Sequence, residues 1–536
     1  MCGRNNGVGG GLLLVVVTAV MAVAPEMSLR PLWPSLCALI LVLWTRRIAL
    51  SLIGGALAGG LLLAEGRFWG VPLTLVDNHL LPNFASPWKS GALIFTLVLG
   101  GFVHLLERGG ILQAAFQRLL HGSSARKVET GAGLFGLVCF FDGLANSLMV
   151  GRIFQPLSRS AGVNRLRLAY IVDTTSAAVA CLAFISTWIA FQLAMIREGF
   201  ALADREAEAS AYGLFFRSLP HNFYAWFALL LMAVAIARQW NFGPMKTVVA
   251  SERGERGEAG RAPPPPSPSA GLWRVWVPLA VLLTVTFGCI YADGTARQGV
   301  AFLPLRMETL ALAFAEARVP AVLVVASGLA AFAAWLFFPR EKEGTGPTGG
   351  EVFLEGMQQL FGPVLILLAA WTLSSTLGDL GTAAYLSEAL GRHLPSWLLP
   401  GAVFLTGAAV AFMTGTSWGT MGLLMPLAIP LAFTVADGAD SALAAGIPMI
   451  IGAVFSGAVF GDHCSPFSDT TLVSSVACGV DPVDHVRTQL PYALLAGTAA
   501  LVLGFLPAAL LGGSGFWLPI ALLFFGGFCI FTSRRE

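Results

Sequence analysis

Eleven consecutive residues, Gly461-Asp462-His463-Cys464-Ser465-Pro466-Phe467-Ser468-Asp469-Thr470-Thr471, carry two carboxylates, an imidazole and four hydroxyls directly after the apolar run Ala442 to Phe460. A run of that length can enter a bilayer, where a charged side chain near the centre costs about 2.5–3.5 kcal/mol on insertion scales. Such residues face a cavity or a pathway rather than lipid. Pro466 and the glycines predict an interrupted helix, whose freed carbonyls and amides can join the side chains in holding a cation. Asp462 and Asp469 are seven residues apart and would share a face of a continuous helix, but Pro466 sets them on either side of a break. Asp469 has a second reading, in which Ser468 or Asp469 accepts backbone amides as the cap of a following helix.

A second constellation lies earlier in the chain. Asp142-Gly143-Leu144-Ala145-Asn146-Ser147 is followed by Asp173-Thr174-Thr175-Ser176-Ala177, and Asp173 is the only charge between Leu168 and Phe191. Asp173 is therefore cavity-facing or paired, with Asn146 and Ser147 as candidate partners if its role is to lock a helix break. Asp142 sits where a turn could simply reach water. Thr174, Thr175, Ser176, Thr416, Ser417, Ser465 and Thr470 offer neutral oxygens suited to Na+, although hydroxyls also satisfy freed helix backbone. His463 beside Cys464 raises a zinc site, but the chain has no second Cys/His cluster and no HExxH. His463 fits better as a titrating or hydrogen-bonding group near an ion path, and His104 and His485, near helix ends, read as interfacial.

The order Gly-Asp-His-Cys-Ser-Pro, one apolar residue, then Ser-Asp-Thr-Thr resembles the signature of the NhaC-type Na+/H+ antiporter family, within the wider ion-transporter superfamily. Asp142 to Leu148 and Leu168 to Ala177 also look like that family, and the resemblance covers about residues 90 to 510. Phe141 departs from it, standing where relatives carry an acidic or polar pair with the aspartate. The resemblance implies Na+ and H+ as transported ions, with Na+ at Asp173 and Asp462.

Composition sets the class. The chain has 536 residues, 56% of them hydrophobic and 12% charged, and a mean hydropathy of +0.75, too apolar to remain a soluble globule. It reads as an all-α polytopic membrane protein of the bacterial cytoplasmic (inner) membrane. The net charge of +2 gives no nucleic-acid footprint, since the 32 basic residues fall in short loops between apolar spans. Trp and Phe suit membrane belts and call for no cofactor. The cysteines are scattered and read as free thiols. Leu12 to Val23 is either an uncleaved first span or a signal peptide, and Leu32 to Trp44 could pair with it as a helical hairpin.

The loop charges orient the spans. Arg46-Arg47, the segment Arg238 to Arg274, and Arg534-Arg535 mark the cytoplasmic side. The run 131–151 breaks the alternation, with Arg108, Arg118, Arg126 and Lys127 before it and Arg152, Arg159, Arg165 and Arg167 after it. Both flanks read as inside, which predicts a re-entrant hairpin with its tip at Asp142 to Ser147, including Asn146. The run 395–435 has acidic flanks at both ends and predicts a second hairpin, entering from the other face, with its tip at Thr416 and Ser417. Counting this way gives about twelve transmembrane helices, two re-entrant hairpins and two interrupted helices in an inverted repeat, the first interruption at Asp173 to Ala177 and the second at Asp462 to Pro466. The units are N-terminal helices (1–90), a first transport repeat (91–240), a charged, Pro-rich linker (241–272) that is disordered or extended from Ser251 to Ala270, connecting helices (273–358), a second repeat (359–511) and a C-terminal helix with a basic tail (512–536). A homodimer is open.

These features point to a secondary transporter. Burial disfavours a charged carboxylate and a bound cation favours it, so ion and protons can compete for the same oxygens. An exchanger of a small carboxylate or amino acid is the alternative within transport, and its cue would be an arginine at the site; Arg152 is a candidate but reads as lying at the membrane surface. An intramembrane hydrolase using Asp462 and Asp469 as acid and base is the alternative of another class, and the chain lacks GxGD and HExxH. The charge bias is testable by itself: cysteine labels placed at Lys127 and Arg159 should both react from the cytoplasmic face, and labelling from opposite faces would rule out the first re-entrant hairpin.

Overall fold

The fold is that of a computed structural model, which describes residues 17–533 apart from 19, 21–28, 46, 65–68, 110–119, 121–122, 141, 206–209, 255–270, 272, 300–316, 339–346, 383–384, 386–394, 436–445, 467 and 512–515. Every described element is helical. In chain order the principal helices are α1 (Trp33–Thr45), α2 (Ile48–Leu63), α3 (Pro87–Arg108), α4 (Ala125–Val138), α5 (Gly143–Ala161), α6 (Arg165–Leu182), α7 (Thr187–Leu202), α8 (Ala211–Ser218), α9 (Phe223–Arg238), α10 (Trp273–Gln298), α11 (Val319–Leu336), α12 (Gly349–Gln359), α13 (Phe361–Asp379), α14 (Leu399–Thr414), α15 (Ser417–Val435), α16 (Ile447–Cys464), α17 (Asp469–Cys478), α18 (Pro482–Ala499) and α19 (Trp517–Thr532).

Among the described residues, seven helices or continuous helical stretches are long and apolar enough to cross a membrane, and counting two bent pairs as single spans gives nine. A total near twelve also draws on shorter apolar helices such as Ala49–Leu63 and Trp517–Thr532. The α1 helix packs on α2, and it also meets the described part of the preceding run, where Val17 packs against the cluster that includes Trp33 and the Trp33 indole donates to Thr18 Oγ1 at 2.9 Å. Most of the run Leu12 to Val23 lies outside the described residues, as do Asp437 and Asp440, the acidic flank that follows the run 395–435, and the basic tail. The linker also departs from expectation at its start: Pro244–Gly254 is helical, and the Pro-rich remainder lies outside the described residues.

Two halves repeat one order of elements. In the first, α4 and α5 form a helical hairpin packed against α6, and a break at 183–186 separates α6 from α7. In the second, α14 and α15 form a hairpin packed against α16, and a break at 465–468 separates α16 from α17. The halves then exchange contacts, α5 packing on α17 and α15 on α7. The second hairpin turns at Gly415, whose φ of 70° is a left-handed conformation that glycine adopts without strain.

The first break is not where Asp173 to Ala177 predicts it. Thr175 Oγ1 donates to the carbonyls of Ile171 and Val172 at 3.0 Å, and Ser176 Oγ to that of Asp173 at 2.9 Å, so these hydroxyls bond within a helix that stays continuous to Leu182. The chain breaks only at Ala183, and Ser186 then caps α7 by accepting from the Trp188 amide at 3.2 Å. The second break follows Cys464, two residues after Asp462, with Pro466 inside it.

The start of α6 is fixed by a buried ion pair. Arg167 donates through Nε to Glu129 Oε1 on α4 at 2.5 Å and through Nη2 to Glu129 Oε2 at 3.2 Å, and it also reaches the carbonyls of Ala235 and Trp240 at the end of α9. At the hairpin of the second half, α14 and α16 approach through their backbones: a Cβ on Gly461 would lie 2.4 Å from Phe412 N, whereas one on Gly288 of α10 would meet nothing within 4 Å. Overpacking against atoms that cannot move aside costs about 1–3 kcal/mol or more. Gly461→Ala should therefore lower the melting temperature of the detergent-solubilised protein clearly, and Gly288→Ala should leave it within a degree or two; equal melting of the two variants would contradict the backbone contact.

Candidate functional site

The interior polar groups converge where α6, α16, α17 and α18 meet. Asp173, in the middle of α6, is completely buried. Its Oδ2 accepts from Thr471 Oγ1 on α17 at 3.0 Å and from Gln489 Nε2 on α18 at 2.7 Å, and its Oδ1 from Ser474 Oγ at 3.4 Å. Asp462, in the last turn of α16, is 3% exposed. Its Oδ2 accepts from Ser417 Oγ at the second hairpin tip at 3.1 Å and from Thr470 Oγ1 at 3.4 Å, and its Oδ1 from Ser468 Oγ. The Thr471 hydroxyl also lies 3.2 Å from the carbonyl oxygen of Asp462, so one side chain joins the two aspartates.

The hairpin tips close on this centre from both halves. Ser147 of the first tip accepts from Ser474 at 3.0 Å, and Asn146 ties its own tip to α4 and α6 through the carbonyls of Gly136 (2.7 Å), Cys139 and Thr175 (both 3.4 Å). Asp142 does not simply reach water: it is 8% exposed, and its Oδ2 accepts from Thr187 Oγ1 across the first break at 2.6 Å. Asn146 thus holds its hairpin together and does not approach Asp173 in any described bond, whereas Ser147 does so through Ser474.

Several expected ligands turn elsewhere. Thr175 and Ser176 bond to their own helix, and Thr416 accepts from the Gly419 amide at 3.4 Å at the start of α15. Thr174 faces His463, with Oγ1 3.0 Å from Nε2. Ser465 lies fully buried in the second break. Asp469 opens α17, and its side chain lies outside the described residues. Ser468 occupies the cap position there, but its hydroxyl is given to Asp462 rather than accepting a backbone amide. His463 holds Tyr224 OH at 2.6 Å on Nδ1 and Thr174 Oγ1 at 3.0 Å on Nε2, so both ring nitrogens are engaged in hydrogen bonds.

Gln489, Thr471, Ser474 and His485 complete the centre, although the sequence marks none of them as a candidate ligand. Thr471 lies inside the polar stretch itself. Ser474 falls one turn beyond it on the same helix face. His485 is fully buried rather than interfacial, with Nδ1 2.9 Å from Ser475 Oγ, Nε2 2.9 Å from Gln489 Oε1 and Nε2 4.0 Å from Asp173 Oδ2. His104 is also buried, 3.2 Å from Glu107 and 3.4 Å from Glu355. Gln489 and His485 are four residues apart on a mostly apolar helix, and that spacing on one face was the available signal. Arg152 is exposed, as a surface position requires, and lies 3.5 Å from Glu107.

Two hairpins and two broken helices that bring buried carboxylates and hydroxyls together inside an all-helical membrane body define a secondary transporter. The profile of the Na+/H+ antiporter family matches residues 179–507, from the end of α6 through α18, and the chain belongs to that family. An uncharacterized protein of Haemophilus influenzae is 31% identical over 506 residues, 92% of this chain and 94% of its own. An uncharacterized Na+/H+ antiporter of the same bacterium is 44% identical over 115 residues, 20% of this chain and 22% of its own. The crystal structure of the YdaH transporter of Alcanivorax borkumensis shares the fold, with a TM-score of 0.59 at 15% identity over 90% of this chain and 98% of that one. The protein is a multi-pass bacterial membrane antiporter of this family and not an enzyme.

The geometry separates hydroxyls that serve the site from those that serve the helix. Thr471→Val removes the group shared by Asp173 and Asp462 at constant shape and should lower transport in vesicles by about tenfold or more, the scale of a hydrogen bond to a charged group. Thr175→Val should leave transport within about twofold, since that hydroxyl only back-bonds to its own helix. Equal losses in both, at matched expression, would contradict the assignment.

Proposed function

We propose that this antiporter exchanges Na+ for H+, with Asp173 and Asp462 as the groups that the two ions share. The observation that carries the reading is the pair of buried carboxylates, one from each half, with the Thr471 hydroxyl lying between the Asp173 carboxylate and the backbone carbonyl of Asp462. Hydroxyls donate to both carboxylates and the Gln489 amide to Asp173, and His485 Nε2 lies 4.0 Å from Asp173 Oδ2. Burying an ionised carboxylate is costly, and either Na+ or a proton relieves that cost. A site that is stable with one or the other, and unstable with neither, couples the two fluxes.

Hydroxyl oxygens suit this task because each can turn a lone pair to a cation or a proton to the carboxylate. Ser417 and Ser468 would make that turn at Asp462, and Ser474 and Thr471 at Asp173. Residues 91–240 and 359–511 would act as the two repeats, with the hairpin tips opening the site alternately to either face. An organic anion as the true substrate would call for a fixed cation beside it. Arg167 is committed to Glu129, and Arg152 lies at the surface near Glu107.

Asp173→Asn and Asp462→Asn should each abolish Na+-dependent proton movement in everted vesicles while expression stays near normal, and full activity in either variant would remove that residue from the mechanism. In the unaltered protein the Na+ half-saturation should rise as pH falls, because protonation occupies the oxygens that Na+ needs, while the rate at saturating Na+ changes less. A half-saturation that stays flat over two pH units, or proton movement driven by small carboxylates and not by Na+, would move the assignment to an anion-coupled exchanger.

A further inference from the structure

Gln489 is completely buried, and its amide orientation is fixed by what surrounds it. Nε2 faces two acceptors, Asp173 Oδ2 at 2.7 Å and the carbonyl oxygen of His463, while Oε1 faces His485 Nε2 at 2.9 Å. The reverse orientation would set Oε1 against both acceptors at once, so the amide nitrogen is the group between them. His463 O belongs to the last turn of α16, just before the break at 465–468, where the carbonyl of Asp462 also accepts from the Ser465 amide at 3.3 Å. Thr471 makes a parallel link, from Asp173 Oδ2 to the carbonyl of Asp462 one residue earlier.

Asp173 Oδ2, the carbonyls of Asp462 and His463, and Thr471 Oγ1 therefore make an oxygen cluster drawn from both halves of the protein. Carboxylate, helix-terminal carbonyl and hydroxyl are the oxygens that a dehydrated monovalent cation takes at a broken helix. The Gln489 NH2 group, the positive end of the amide dipole, bridges two of them. From this arrangement we infer that Gln489 competes with the transported cation for Asp173 Oδ2 and His463 O, and so sets cation affinity and selectivity at this centre. Entry of a cation displaces the amide nitrogen from both oxygens. Gln489 is thus a specificity-determining residue that acts by opposing the cation, the reverse of a ligand.

The inference rests on the Na+/H+ reading and makes a prediction opposite in sign to a ligand or a structural role. Gln489→Met keeps the length of the side chain and removes both N–H donors. It should lower the Na+ half-saturation by about tenfold, the equivalent of one charge-assisted hydrogen bond no longer opposing the ion. Its maximal rate should fall, because release of the ion is slowed, and the ratio of Li+ to Na+ half-saturation should change. Protection of the purified variant against heat by Na+ should appear at lower Na+ than in the unaltered protein, which reads cation binding without transport. A half-saturation that rises or stays unchanged in Gln489→Met, with no shift in the Na+ needed for heat protection, would overturn the inference. If Na+, Li+ and K+ all fail to drive proton movement by the unaltered protein, it is the Na+/H+ reading that falls.

Discussion

The centre of this protein depends on the cost of holding carboxylates away from water. Asp173 is fully buried and Asp462 nearly so. Their stability comes from donors gathered from distant parts of the chain: Ser417 from the second hairpin, Ser468, Thr470, Thr471 and Ser474 from the second break and the helix after it, and Gln489 from α18. A donor that stabilises a buried anion must be placed within about 3 Å and held there, which demands a rigid frame. The crossed packing of hairpins and half-helices is that frame.

The frame in turn depends on small residues. Gly461 and Gly457 allow α14 and α16 to touch backbone to backbone, and Gly151 and Gly199 do the same where each hairpin meets the other half. Membrane helices lack a hydrophobic drive to associate with one another, so close approach and dispersion carry the packing. The second hairpin and the pre-break half of its helix consequently form one tight pair, and Asp462 stays with the Ser417 tip that hydrogen-bonds it.

Much of this was legible in the sequence, for physical reasons. Charge in an apolar run is so unfavourable that Asp173 and Asp462 stand out without any structure, and Pro466 marks the second break directly. The hydrophobic runs locate the helices, since each follows the span that a bilayer requires. The first break was misplaced because Thr175 and Ser176 look like an interruption but bond back to their own helix, and neither proline nor glycine lies between Arg165 and Leu182 to end it. His485 reads as interfacial from sequence, and nothing there marks Gln489, because a single imidazole or amide near a helix end has an ordinary surface role; only the three-dimensional meeting of α18 with α6 brings them to Asp173. The roles of Thr174 and Tyr224 depend likewise on His463, which lies nearly 300 residues from Thr174.

The Arg167–Glu129 pair has a consequence for how this chain can vary. It pins the first turn of α6 to α4 and α9, and Asp173 lies six positions further along the same helix. A helix turns about 100° per residue, so inserting or deleting one residue between them would swing the carboxylate roughly a quarter-turn away from Thr471 and Gln489 while the anchor stayed in place. Substitutions among the intervening apolar residues alter only local volume. The length of this segment is therefore quantised: homologous chains that retain both the anchor and the carboxylate should show alignment gaps in the loops around α6 and none inside it.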